Sequence, residues 1–228
     1  MKDLPFISYQ HPTYTHQEML QRSRQFYEWM NKRRSVRMFS SEPVLQEVLE
    51  NIVMTASTAP SGANKQPWTF CVVTDQKLKR QIRIEAEKEE KISYEQRMPQ
   101  EWLDDLKPFG TDWHKEFLET VPALIVVFKR NYETDADGHK HNNYYVSESV
   151  GLATGFLLAA IHQAGLVALT HTPSPMNFLK QILDRPANES PFLLIPVGKP
   201  HPDTKVPDLR RKHAGEVLVW YDLDRTDK

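Results

Sequence analysis

One cysteine, Cys71, is all that the 228 residues contain, and it stands inside the apolar run Trp68–Val73. An intramolecular disulfide and a cysteine-based zinc site are both excluded. The residue reads as a small buried hydrophobe in a protein of the cytosol. Net charge is lacking too, since 29 Lys plus Arg face 30 Asp plus Glu. No global field draws the chain to nucleic acid or an anionic membrane, so any anion it binds must be held by a local cluster. The longest mostly apolar stretch, Val150–Ile161, is broken by Gly151, Thr154 and Gly155. It falls well short of the ~20 residues a membrane helix needs. The opening MKDLPFISYQ has no apolar signal-peptide core. The expectation is a soluble protein without membrane or nucleic-acid partners.

Internal repeats and disordered linkers are likewise missing, and what remains alternates irregularly between helical and strand patterns. Thr15 with Glu18 reads as a capping box, opening a helix with Met19, Leu20, Phe26, Tyr27 and Met30 as its apolar stripe. Ser41-Glu42-Pro43 starts a second helix, and Asp75 opens a long charged one through about Met98. Glu148–Ala164 is apolar nearly all round and stopped by Gly165, which predicts a central buried helix. Strands are expected at Trp68–Thr74, Ala123–Lys129, Leu166–Thr170 and Phe192–Val197, with a last one at Glu216–Tyr221. That last strand follows a long connector, Lys199–Lys212. It is either an edge strand of its own sheet or a segment that crosses to a partner subunit. A single α+β domain over residues 1–228 is predicted.

Three clusters carry chemistry. Arg33, Arg34 and Arg37 flank Ser35, and guanidinium forks with a hydroxyl between them suit a phosphate; the same charges would also complement a helix C-terminus. Pro60-Ser61-Gly62-Ala63-Asn64 lets backbone approach a flat ligand, or makes an ordinary helix-to-strand turn. Glu90 and Tyr94 share a helix face, and Lys115 would have to fold back onto them. A carboxylate, a phenol and an ammonium can pair both ends of an amino-acid zwitterion, although a solvated charged face has the same composition. His139-Lys140-His141 lies in a polar loop without a spaced carboxylate, and no metal site is expected. Trp68, Trp102, Trp113 and Trp220 read as packing residues.

Taken in order, RRSVR, TAPSGANKQPWTF, EEKISYEQRM, DWHKEFLE, ALTHTPSP and VPDLRRK resemble the nitroreductase flavoprotein family over about residues 20–220. The Glu-x-x-x-Tyr pair followed by Trp-x-Lys is similar to its halotyrosine-deiodinating branch. The resemblance implies a nitroreductase-like α+β fold, with a central, mostly antiparallel sheet flanked by helices. It also implies an intertwined homodimer with C-terminal strand exchange, each extension (about 199–228) wrapping the other subunit and two FMN at the interface. Arg33, Arg34, Ser35 and Arg37 would hold the FMN phosphate and ribityl end, with Arg211 reaching back toward the phosphate. Pro60, Ser61 and Gly62 would line the flavin. Thr170, His171 and Thr172 would form its edge, with Thr172 donating to N5 as the catalytic contact. His171 stands where animal members usually have threonine, and its backbone would do most of that residue's work. The backbone N–H of Ala63 would receive a phenolate oxygen. Glu90, Tyr94 and Lys115 would grip the amino-acid end on a lid of about residues 85–118.

The function implied is reductive dehalogenation of a halotyrosine, 3-iodotyrosine to tyrosine plus iodide, by FMN reduced with NAD(P)H directly or through a separate reductase. A nitroarene or quinone reductase using NAD(P)H is the alternative within enzymes, and a non-catalytic flavin-binding protein the alternative outside them. Animal members are membrane-anchored near the N-terminus; this chain is expected to resemble the soluble microbial ones.

Overall fold

A computed structural model describes residues 6–221. A four-stranded antiparallel sheet, in the order β1-β2-β6-β5, forms the frame. Its strands are β1 (Trp68–Val73), β2 (Ala123–Arg130), β5 (Val167–Ala168) and β6 (Glu189–Gly198). Strict alternation along β2 splits the core in two. Ala123, Ile125 and Val127 face α2 (Gln46–Ser57) and α6 (Val146–Gln163), while Leu124, Val126 and Phe128 face α3 (Gln76–Ile92) and α7 (Asn177–Ile182). Every one of those six β2 side chains is fully buried. The expected α+β class is therefore the observed one.

Two predicted helix starts are made by the expected groups, while α2 begins at Gln46 behind an uncapped Leu45 and not at Ser41-Glu42-Pro43. Thr15 and Glu18 form a reciprocal capping box on α1 (His16–Asn31), and the Asp75 carboxylate accepts from Leu78 N–H at the head of α3. Three further expectations change. The polar segment after β2 is a hairpin, β3 (Tyr132–Thr134) paired with β4 (Lys140–Asn142). The long charged helix ends at Ile92 and continues as one wider π-turn, Ser93–Arg97, closed by Met98 N–H donating to Ser93 C=O at 2.9 Å. The expected strand Glu216–Tyr221 does not form: Ala214–Val217 is one helical turn, α8, and the residues after it up to Tyr221 join no strand. A β-prone sequence needs a free sheet edge within reach, and this segment meets none in its own chain.

Two helices expected to bury their apolar residues leave many in the open. α1 has no buried residue, and Met19, Leu20, Phe26 and Tyr27 are exposed. α6 seats Val150, Ala153, Leu157 and Ile161 on the sheet, yet leaves Leu152 and Phe156 outside. The remaining short helices are α4 (Gln100–Leu106) and α5 (Phe117–Thr120). Among the described residues no helix is long and apolar enough to cross a membrane.

Candidate active site

The arginine strip follows directly from the end of α1. Ser35 bridges Ala168 in parallel, Val36 N–H donates to Ala168 C=O at 3.1 Å, and the Val36 side chain is buried. The strip is thus extended at the β5 edge of the sheet, not a helix end that its own charges neutralise. The connector after β6 runs back along it. Pro200 bridges Phe39, the Pro207 carbonyl accepts from the Arg34 guanidinium, and Arg211 donates to the Arg33 carbonyl at 2.7 Å. Arg33, Arg34, Ser35, Arg37 and Arg211 line one cavity of about 680 Å³ together with Tyr27, Phe109, Arg210 and Lys212. Among the described residues, Arg33, Arg34, Arg37 and Arg211 have no carboxylate partner, whereas Arg210 is paired to Glu216. Burial lowers the Arg33 pKa, helped by Arg211 and Arg34, and burial also lowers that of Arg37. Guanidiniums that repel one another in a half-buried pocket are relieved by an anion, and a phosphate accepts from several of them at once. The donor set fits the phosphate end of FMN.

A second cavity of about 350 Å³ shares Arg37 with the first. Glu90 enters it from the last turn of α3 and Tyr94 from the π-turn, while Lys115 comes from the loop before α5. Sequence reading required Lys115 to fold back. The agent is a residue it passed over, Glu87, whose carboxylate accepts from the Lys115 backbone N–H at 2.8 Å. Lys115 Nζ lies 3.6 Å from Glu90 Oε2 and 5.5 Å from the centre of the Tyr94 ring. It also donates to Thr111 Oγ1 at 3.2 Å and to the Asp112 carbonyl. The Tyr94 hydroxyl donates to Thr111 C=O at 3.3 Å. Burial raises the Glu90 pKa against the pull of Lys115 and lowers the Lys115 pKa against the pull of Glu90. The solvated-face reading therefore fails for these residues: Glu90 and Lys115 are both buried.

Leu169–Thr172 closes the cavity from the sheet edge. Thr170 and Thr172 are exposed and His171 between them is buried, the period-two pattern of an extended segment. The cavity also takes Ser93, Arg97, Met98, Trp102 and Leu106, none of which the sequence assigned to a site. Trp102, expected as packing, is 53% exposed at that wall, and Trp220 at 69% packs on little of its own chain. Trp68 is buried as expected. Cys71 is only partly buried, and burial raises its pKa.

Pro60, Ser61, Gly62 and Ala63 are not brought to either cavity. They form a tight turn before β1, at the opposite edge of the sheet from the arginine strip. Ala63, Asn64 and Gln66 hold positive φ there, and the Ser61 hydroxyl accepts from Gln66 N–H at 2.8 Å. Gly62 has its reason: a Cβ would sit 3.0 Å from the Tyr144 carbonyl. On the β3–β4 hairpin a carboxylate does stand by the histidine pair: Asp135 lies 2.9 Å from His141 and 3.5 Å from His139. All three are exposed.

Fold and cavities together describe a flavin-dependent reductase, and the comparison with known proteins agrees. The nitroreductase family model matches residues 30–199, and the chain belongs to that family. Within it, the chain is 62% identical over 222 residues to the iodotyrosine deiodinase of Haliscomenobacter hydrossis, covering 97% of this chain and 100% of that one. It is 46% identical to iodotyrosine deiodinase 1 of Homo sapiens over 219 residues, 96% of this chain and 76% of that one. A solved iodotyrosine deiodinase bound to FMN and 3-iodo-L-tyrosine superposes with a TM-score of 0.73 at 35% identity, covering 86% of this chain and 98% of that one.

Proposed function

We propose that this protein is an FMN-dependent dehalogenase that converts halotyrosines, with 3-iodotyrosine as the type substrate, to tyrosine and halide. One observation carries the reading: an anion-seeking arginine pocket opens through Arg37 onto a cavity where a buried carboxylate and a buried ammonium face each other. The first suits a phosphate and the second an amino-acid zwitterion, which is the ligand pair held by the solved deiodinase.

Reduced flavin supplies two electrons; the carbon–halogen bond breaks, the ring carbon gains a proton, and halide leaves. The chain does the rest. Arg33, Arg34, Ser35, Arg37 and Arg211 hold the phosphate end. Thr170 and Thr172 present exposed hydroxyls to the flavin edge, Thr172 being the residue assigned to N5. Glu90 takes the substrate ammonium, while Lys115 and Tyr94 take its carboxylate. In the free protein Glu90 and Lys115 answer each other's charge, so the zwitterion inserts between partners already aligned. Trp102, Leu106 and Phe109 close over the site as part of the lid and exclude water.

The working unit we propose is a homodimer. Pro60–Ala63 stand across the sheet from the arginines, so a second copy must bring them if they are to line the flavin and offer the Ala63 N–H to the phenolate oxygen. Strand β1 is an open edge beside a groove of about 770 Å³ of mixed lining, in which Leu49, Val53, Phe70 and Val72 stand beside Gln46, Glu50 and Thr74. The exposed Val217–Tyr221 of a second copy, which joins no strand of its own chain, would lay its apolar side chains against the apolar part of that groove. A single cysteine suits work in the cytosol, with NAD(P)H or a separate reductase as electron source. The test is anaerobic mixing of 3-iodotyrosine with the dithionite-reduced holoprotein. One tyrosine and one iodide per flavin oxidised are expected; flavin that stays reduced, with no tyrosine formed, ends the proposal.

A further inference from the structure

His171 is the member of the Thr170–Thr172 strip whose side chain turns inward. Its backbone is bound into the sheet, donating to Leu194 C=O at 2.9 Å and accepting from Leu194 N–H at 3.0 Å. The main-chain N–H at this position is therefore committed to the sheet, and the imidazole is the group left to act in the cavity. That ring is 8% exposed and edge-on to Phe117, with centroids 6.2 Å apart. Its Nε2 is buried without a hydrogen-bond partner. A buried polar atom left unpaired in a cavity wall is uncommon and calls for a cause.

The nearest charged group supplies one. Glu90 Oε1 lies 3.8 Å from His171 Nε2, while Glu90 Oε2 lies 3.6 Å from Lys115 Nζ. The carboxylate thus stands between an ammonium and an imidazole, in hydrogen-bond contact with neither. Burial, reinforced by the charges of Lys115 and Arg37, holds the imidazole pKa down to about 3, so the ring is neutral and keeps one N–H to give.

We propose that His171 is a positioning residue for Glu90, donating from Nε2 to Glu90 Oε1 once a substrate carboxylate has drawn Lys115 away. The inference rests on the zwitterion reading of the site. Without a second partner, Glu90 would be left buried and free to rotate at the moment it must receive the ammonium. With His171 on Oε1, the Oε2 side stays aimed at the substrate. The cationic alternative is disfavoured, because a charged imidazole would join Lys115 and Arg37 in repelling the incoming ammonium.

The FMN-loaded protein is titrated with 3-iodotyrosine and with 3-iodo-4-hydroxyphenylpropionate, which lacks the amino group, following flavin absorbance. His171→Leu and His171→Thr remove the reach of the donor in two different shapes, guarding against a folding failure in either. Each is expected to weaken 3-iodotyrosine about tenfold, the worth of a hydrogen bond to a charged group. Binding of the des-amino compound should be unchanged. His171→Gln, whose amide nitrogen reaches the same place, should recover most of the loss. Equal weakening of both ligands, or none for 3-iodotyrosine, overturns the proposal and leaves His171 as packing. Wild-type holoprotein that ignores 3-iodotyrosine while binding the des-amino compound overturns the zwitterion reading itself, and this inference with it.

Discussion

Glu90 and Lys115 lie 3.6 Å apart with 10% and 4% of their side chains exposed. A pair so buried returns little net stability, because desolvation consumes most of the attraction. It is well suited to exchanging partners. Removing one member leaves the other uncompensated, so Glu90→Gln or Lys115→Ala should weaken 3-iodotyrosine by about 2–5 kcal/mol. The des-amino analogue should lose much less from Glu90→Gln, a contrast read directly by titrating the flavin spectrum. The pH dependence has a definite sign. Burial raises the Glu90 pKa above 4.5, and ammonium binding needs the ionised form. The preference for 3-iodotyrosine over its des-amino analogue should therefore fall as pH drops through that raised value. The wild-type profile should show this acid limb and Glu90→Gln should lack it; identical profiles would place the titration elsewhere.

The elements explain what sequence could and could not reveal. Two helix starts were legible because their caps are local: Thr15 with Glu18 and Asp75 with Leu78 close within one turn. The start of α2 was not, since Leu45 makes no side-chain cap bond and Ser41 stands ahead of the helix. The strands β1, β2 and β6 were legible because they are apolar runs bounded by turn residues. The π-turn at Ser93–Arg97 was not, since one extra residue per turn leaves no pattern in a charged helix. Nor was Glu87, which looks like any surface carboxylate until its bond to Lys115 is seen. RRSVR was legible as an anion seeker, while its extended course depended on a bridge to Ala168 far along the chain. At this scale the lid, about residues 85–118, should respond to ligand. Hydrogen exchange across it in the holoprotein is expected to slow with 3-iodotyrosine and much less with 3-iodo-4-hydroxyphenylpropionate. Equal protection by both compounds would mean that ring stacking alone closes the lid.

In the whole molecule, the apolar residues the sequence marked for burial and the single chain leaves open form a pattern. Leu20, Phe26, Leu152, Phe156, Val219 and Trp220 are all more than 40% exposed. The proposed homodimer is expected to cover them. Sedimentation equilibrium should give twice the 26.6 kDa chain mass, and truncation before Ala214 should both split the dimer and release flavin. A monomer that retains FMN would refute the shared site.

Binding reaches the central claim most directly. The purified protein should be yellow, and adding 3-iodotyrosine should perturb its flavin absorption while 3-iodo-4-hydroxyphenylpropionate does so only at much higher concentration. A colourless protein that refuses added FMN, or a flavin spectrum indifferent to the amino group of the ligand, would contradict it.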